Sequence, residues 1–340
     1  MATCGRHGVP MIVGEVYDLV SDDMFLRIDE FVPGSRGYLK VEGCNPAGSA
    51  KLKTAVALVE GAESAGVPFP ATRLIESTSG NLGVALAMIC AAKGYSLVCV
   101  TDPKANPQPV KMMRALGAEV VVVGRHDEHG GYLSSRIDYI TTRLSYEPDL
   151  HWLNQYANPS GPGAHRDRTG RAILDHVPDV GHVFVAAGTT GTLMGCAAYL
   201  REHSPGTRVV AVDVEGSAIF GHPEGPRHIP GMGASLRPGI LDEELVDDVV
   251  TVSEVDAVTA CRELARDRGM LVGASTGAVL VAIRHRGAGI TPGSTVVGVS
   301  PDLGERYLET VFDDEWVTAN LRMRADDLPG KLNFGHVLQN

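Results

Sequence analysis

A repeating alternation of short, uninterrupted apolar segments with helical stretches constrains this chain more than any other feature. Residues 73–76, 96–101 and 119–123 read as strands, and residues 80–93, 108–116 and 131–144 read as the helices that follow them. A strand without polar alternation is buried on both faces, and strands separated by helices are joined by crossovers. The pattern therefore predicts parallel sheet covered by helices on both sides. Beyond residue 158 and a Gly/Pro-rich turn it restarts, with helix over 167–176, strand over 182–187, helix over 192–202 and strand over 208–212. Helices over 254–268 and 276–284 and a strand over 294–300 complete it. Two such blocks predict an α/β fold of two doubly wound domains, with a ligand in the cleft between them.

Ahead of the first block, residues 11–13, 24–28 and 37–42 read as strands, and 49–64 as a helix with Ser49 as its N-cap. The stretch 215–238 is long and rich in glycine and proline, and a loop of that length in a compact domain is usually functional. From Asp313 onward the chain turns polar and reads as a tail or partner-docking arm.

Composition narrows the partners. A net charge of −11 and aromatics at 5% speak against a nucleic-acid surface, which needs basic patches and stacking rings. No apolar run approaches the roughly 18 residues of a membrane helix, so no membrane partner is expected. The first residues lack a charged-then-apolar export pattern, and the expected location is cytoplasmic. Cys4, Cys44, Cys90, Cys99, Cys196 and Cys261 are scattered without C-x-x-C spacing, so neither a disulfide framework nor a metal site is expected.

Chemistry concentrates in a few turns. Asn45-Pro46-Ala47-Gly48-Ser49-Ala50-Lys51 puts a lysine at the start of a helix, and a lysine amine can bind a carbonyl cofactor covalently. Glu76-Ser77-Thr78-Ser79-Gly80-Asn81 is rich in hydroxyls and opens the next helix, where a carboxylate could sit, or where the side chains could merely cap the helix. Gly188-Thr189-Thr190-Gly191-Thr192 lies between a strand and a helix and has the makings of a phosphate cup, although a βα turn without a ligand would read alike. Gly273-Ala274-Ser275-Thr276-Gly277 is either a further ligand turn or a simple N-cap. His129, His165, His222 and His228 read as loop residues at the surface, with no proton-transfer role.

Together these segments, with Pro301-Asp302-Leu303-Gly304-Glu305-Arg306-Tyr307, resemble the fold type II pyridoxal-phosphate enzymes, the cysteine synthase and cystathionine β-synthase family, over roughly residues 14–316. The resemblance implies pyridoxal 5′-phosphate bound covalently to Lys51, its phosphate held by Gly188, Thr189, Thr190, Gly191 and Thr192, its ring nitrogen facing Ser275 and its 3′-oxygen bonded by Asn81. Ser77, Thr78, Ser79 and Asn81 would receive the substrate carboxylate, and Lys51, once released, would handle the α-proton. It further implies a large cofactor-binding domain of residues 1–46 and 157–317, a small mobile domain of 47–156, a tail of 318–340, and a homodimer.

Leu74–Gly83, Tyr132-Leu133, Gln155-Tyr156 and Pro230-Gly231-Met232-Gly233 resemble a narrower branch, whose members expel phosphate from O-phospho-L-serine and add the amine of L-glutamate. That product is a precursor of 2,3-diaminopropionate for siderophores or peptide antibiotics. The branch implies Arg136, Tyr156, Gly231, Met232 and Gly233 at the substrate site. Two departures keep alternatives open. Leu52-Lys53 replaces the family's usual Asp-Arg, which makes Lys53 a rival for the cofactor. Gly188 stands where close relatives carry serine and cysteine synthases carry glycine, so sulfide is a rival nucleophile. An inactive, partner-binding relative is the reading from another class.

Overall fold

A computed structural model describes residues 12–126 and 131–321. Ten strands, β1 (Phe25–Arg27), β2 (Arg36–Val41), β3 (Arg73–Ser77), β4 (Leu97–Thr101), β5 (Glu119–Val122), β6 (Leu150–Trp152), β7 (Val180–Ala186), β8 (Arg208–Val214), β9 (Asp248–Val252) and β10 (Thr295–Ser300), form two sheets among these residues. The larger has the order β1-β2-β10-β7-β8-β9 and the smaller β5-β4-β3-β6. Every pairing is parallel except that of the edge strand β1 with β2.

The α-helices are α1 (Lys51–Ser64), α2 (Asn81–Lys93), α3 (Pro107–Ala115), α4 (Leu133–Leu144), α5 (Ser160–Ala164), α6 (Arg171–His176), α7 (Gly191–His203), α8 (Glu254–Arg268), α9 (Ala274–Arg286) and α10 (Asp314–Leu321). Strand periodicity explains why both sheets are covered twice. In β8, Val210 and Val212 join the cluster under α8 and α9, with Leu264, Ala278 and Leu280. Their neighbours Val209 and Ala211 point to the other face, into the cluster of Ile173, Leu193, Cys196 and Leu200 under α6 and α7. In the small sheet, Leu74 and Cys99 pack with Leu52, Leu58 and Ile89 of α1 and α2, whereas Ile75 and Val100 pack with Ile140 of α4.

The structure also revises several expectations. β6 and β9 are strands that the apolar runs did not announce. Residues 12–13 form no strand, and the earlier part of that segment lies outside the described residues. The presumed turn at 159–163 is already α5, continued by a π-helical turn, His165–Gly170, into α6. The polar segment after Asp313 begins as α10, which buries Val317 and ties Asp314 to Arg262. Ser49 does not cap α1: the N-cap is Ala50, whose amide donates to Pro301 O at 2.7 Å, and the Ser49 hydroxyl is buried without a partner. No helix among the described residues is long and apolar enough to cross a membrane.

Candidate active site

Three loops leave the carboxyl ends of β3, β7 and β10, the edge where open α/β sheets gather ligands. The turn before α1 delivers a lysine to them. Asn45 knots that turn: its Nδ2 donates to Glu42 O (2.8 Å) and Ser49 O (3.0 Å), while its Oδ1 accepts from Ala47 N (3.0 Å). Lys51 is thereby the first residue of α1, with Nζ 3.0 Å from Thr189 Oγ1. Burial pushes its ammonium down to about 8, against the opposing pull of the Asp302 and Glu76 carboxyls.

Thr189 belongs to a cup between β7 and α7. Thr190 is the N-cap of α7 in the left-handed region (φ 65), which a β-branched residue adopts rarely. Its hydroxyl is buried and unpartnered, and the first amides of α7 have no carbonyl of their own helix to meet. Gly188 is half-buried, and a Cβ there would come 3.1 Å from Gly231 O. Gly233 N donates to Ala187 O at 2.8 Å, so the 231–233 segment, with Met232 buried, forms one wall of the cup. An orphaned hydroxyl, a strained cap and free helix amides are what a phosphate-sized anion would satisfy.

Asn81, first residue of α2, spans the two sheets. Its Nδ2 donates to Asp302 Oδ2 at 2.7 Å, and its Oδ1 accepts from Arg306, which also donates to Ala47 O. The guanidinium fixes which end of the amide is the donor, so the second Nδ2 proton remains for a ligand. Asp302 accepts the Tyr307 hydroxyl at 2.5 Å on the same oxygen, while Oδ1 is buried without a partner. Burial raises the carboxyl of Asp302 despite those bonds. The start of α9 docks on this segment: a Cβ on Gly273 would collide with Asp302 Oδ1, and Ser275 is buried two residues further on.

The loop after β3 is anchored from below by Glu76, a fully buried carboxyl in the middle of the small sheet. It accepts from Ser77 N (2.8 Å), Trp152 Nε1 (3.4 Å) and Gln155 N (3.3 Å), and burial raises it to about 7. Gln155 Nε2 returns a bond to Ser77 O at 2.8 Å, which locks the loop carrying Tyr156 to the loop carrying Thr78 and Ser79. Thr78 Oγ1 accepts from Gly83 N (3.0 Å), so the capping reading holds for this side chain, and its proton stays available. Ser77 Oγ is buried and unpartnered. Arg136 on α4 is buried and 3.5 Å from Asp102, and its Nε has no partner; burial raises the Tyr156 hydroxyl, and Arg136 is close enough to oppose that rise.

Two sequence readings change. Lys53 does not approach the cup: its Nζ is enclosed by Glu42 (2.7 Å) and Asp22 (2.5 Å), with Lys40 on the same carboxylate at 3.1 Å. Nor is His165 a surface residue. It is fully buried in the π-helical turn, against Thr54, Thr169 and Thr192, and burial pushes it down to about 3. Of the other histidines, His222 lies exposed in its loop, and His129 lies outside the described residues. Glu76, Asp302, Arg306 and His165 were missed as site residues. The first three stand inside quoted motifs, but nothing local signals that a carboxyl will be buried.

The chain matches the family described as pyridoxal-phosphate dependent enzyme over residues 26–302. It belongs to that family. It is 40% identical over 320 residues to the N-(2-amino-2-carboxyethyl)-L-glutamate synthase of Ralstonia nicotianae, covering 93% of this chain and 94% of the relative. Its fold is similar to the crystal structure of O-ureido-L-serine synthase (TM-score 0.82, 32% identity, 91% of this chain and 100% of that one). It is also similar to the O-acetylserine-dependent cystathionine β-synthase from Helicobacter pylori (TM-score 0.81, 30% identity, 88% and 98%). The protein is a pyridoxal-phosphate-dependent β-replacement enzyme of fold type II, and the cup and half-buried lysine suit that cofactor's phosphate and carbonyl.

Proposed function

We propose that this enzyme expels phosphate from O-phospho-L-serine and joins the amine of L-glutamate to the freed β-carbon, giving N-(2-amino-2-carboxyethyl)-L-glutamate, a 2,3-diaminopropionate precursor for a siderophore or peptide antibiotic. The observation that carries the reading is Arg136, buried with an unpartnered Nε beside Tyr156, in a chain 40% identical to a synthase of that name. Asp102 at 3.5 Å meets the charge of the guanidinium from one side, and the unused Nε donor is what an anionic ligand would complete; both substrates are anionic.

Pyridoxal phosphate, when bound, supplies the electron sink that acidifies the α-carbon and lets the β-substituent leave. The chain's own residues do the rest. Lys51 binds the carbonyl and later moves the α-proton. Gly188, Thr189, Thr190, Gly191 and Thr192 hold the phosphate, Asn81 the 3′-oxygen, and Ser275 the ring nitrogen. Ser77, Thr78, Ser79 and Asn81 orient the substrate carboxylate. Arg136 and Tyr156 receive the second anionic group, with Gly231, Met232 and Gly233 along the wall. Residues 47–156 move as the small domain against 1–46 with 157–317, within a homodimer.

Holoprotein given O-phospho-L-serine and L-glutamate should release phosphate and form a product of the joined mass. Absence of glutamate-dependent phosphate release sinks the reading, and cysteine formed faster with sulfide would install the rival that Gly188 favours. Arg136→Ala should raise the KM for O-phospho-L-serine about 10–100-fold, the value of a charge-assisted hydrogen bond. An unchanged KM removes Arg136 from the site.

The depressed Lys51 gives a pH signature. Its neutral amine is the form that reacts, so the rate at which apoprotein takes up pyridoxal phosphate should rise with pH through about 8. The unfolded chain binds the extra proton between about 8 and the ordinary 10.5, so apoprotein stability should also rise with pH across that window. A midpoint at the ordinary lysine value would show that Lys51 is not desolvated.

A further inference from the structure

Behind the cup lies a chain of buried polar groups that cofactor binding does not by itself require. His165 Nε2 is 3.0 Å from Thr54 Oγ1 and 3.2 Å from Thr192 Oγ1, and its Nδ1 is 3.0 Å from Thr169 Oγ1. Thr169 Oγ1 in turn is 3.0 Å from Glu42 Oε1 and 3.2 Å from Lys53 Nζ. The close approach has a local cause. A Cβ on Gly195 of α7 would overlap Pro162 O and His165 Cβ, so only glycine lets α7 settle against the π-helical turn.

Counting protons settles the tautomer. The Thr169 hydroxyl has one proton and two lone pairs. Lys53 only donates and occupies one lone pair. Glu42, held at about 2 by Lys53 and Lys40 against the cost of burial, only accepts, and a carboxylate outcompetes a neutral imidazole for the Thr169 proton. What remains for His165 is the second lone pair, so Nδ1 carries the hydrogen. The ring is neutral, and Nε2 is a bare acceptor with a single lone pair facing two hydroxyls.

We propose that His165 is a positioning residue locked as the Nδ1–H tautomer, whose Nε2 is an acceptor shared by Thr54 and Thr192. When an anion enters the cup, Thr54 keeps Nε2, and the Thr192 hydroxyl turns its proton to the phosphate. Thr54, a buried residue of the lysine helix, is thus the group that frees a donor for the cofactor. The second half of this inference rests on the cup holding the cofactor's phosphate.

Nitrogen chemical shifts of labelled apoprotein test the first half without any cofactor. Nδ1 should appear protonated and Nε2 bare across neutral pH, and the reverse assignment overturns the lock. For the second half, apoprotein affinities for pyridoxal phosphate and for pyridoxal, which lacks the phosphate, are compared. Thr54→Val leaves Nε2 to claim the Thr192 proton, so affinity for pyridoxal phosphate should fall about three- to tenfold, the worth of one hydrogen bond, with pyridoxal unaffected. Equal losses for both compounds would mean a merely structural role. A Thr54→Val variant with undiminished affinity would overturn the sharing. If the wild-type protein itself shows no preference for the phosphate, the cup reading falls and the exchange falls with it, while the nitrogen shifts still decide the tautomer.

Discussion

Lys51→Ala should lose the visible absorbance of bound pyridoxal phosphate and lower β-replacement turnover by about a thousandfold or more, since under the proposed function it would remove both the covalent anchor and the proton-transfer group. The variant should fold normally, because it relieves a buried amine that is held at about 8 by desolvation. Lys53→Ala, two residues along the same helix, should do the opposite. Its ammonium is enclosed by Glu42 and Asp22, so its loss should lower stability while the folded fraction keeps the absorbance band. Absorbance spectra and urea midpoints of the two variants separate these outcomes. A Lys51→Ala protein that retains the band, with a Lys53→Ala protein that lacks it, would reassign the cofactor lysine.

Glu42→Gln should be strongly destabilising. Lys40 and Lys53 are both fully buried and share this one fully buried carboxylate. Removing its charge leaves Lys53 with only the half-buried Asp22 and takes from Lys40 the carboxylate it shares, and breaking a buried pair costs about 3–5 kcal/mol. The sign with pH is specific. The Glu42 carboxyl lies at about 2 in the fold against 4.5 in the unfolded chain, so its contribution is fully present above 4.5 and is lost as pH falls toward about 2. Urea midpoints of wild type and variant should therefore differ most at neutral pH and converge on acidification. A gap independent of pH would mean that packing, not charge, is what Glu42 supplies.

Much of this architecture is legible in the chain because burial on two faces leaves a local trace. The apolar runs at 96–101 and 208–212 have no solvent face, and they became β4 and β8 with clusters on both sides. β6 and β9 left a weaker trace. Leu150–Trp152 is three residues long with His151 at its centre, and Asp248–Val252 carries an aspartate and a threonine; each is a strand because a neighbouring edge offers it hydrogen bonds. The expected cap at Ser49 failed for a similar reason: the amide of Ala50 is satisfied by Pro301, far away in sequence.

The candidate site divides along the same line. Glycines, hydroxyls and the lysine at strand-to-helix turns are visible residue by residue, because helix ends attract anions wherever they occur. The sequence by itself determined the α/β class, the family and the turns where a phosphate and a carbonyl could be held. Only the tertiary structure decided which lysine faces the cup, since Lys51 and Lys53 differ by two positions on α1 and so point to different sides of it. It also decided that His165 is buried among threonine hydroxyls and that Glu76 and Asp302 are buried carboxyls. Their protonation depends on distant groups brought within a few ångströms, a property of the packed neighbourhood and not of any stretch of chain.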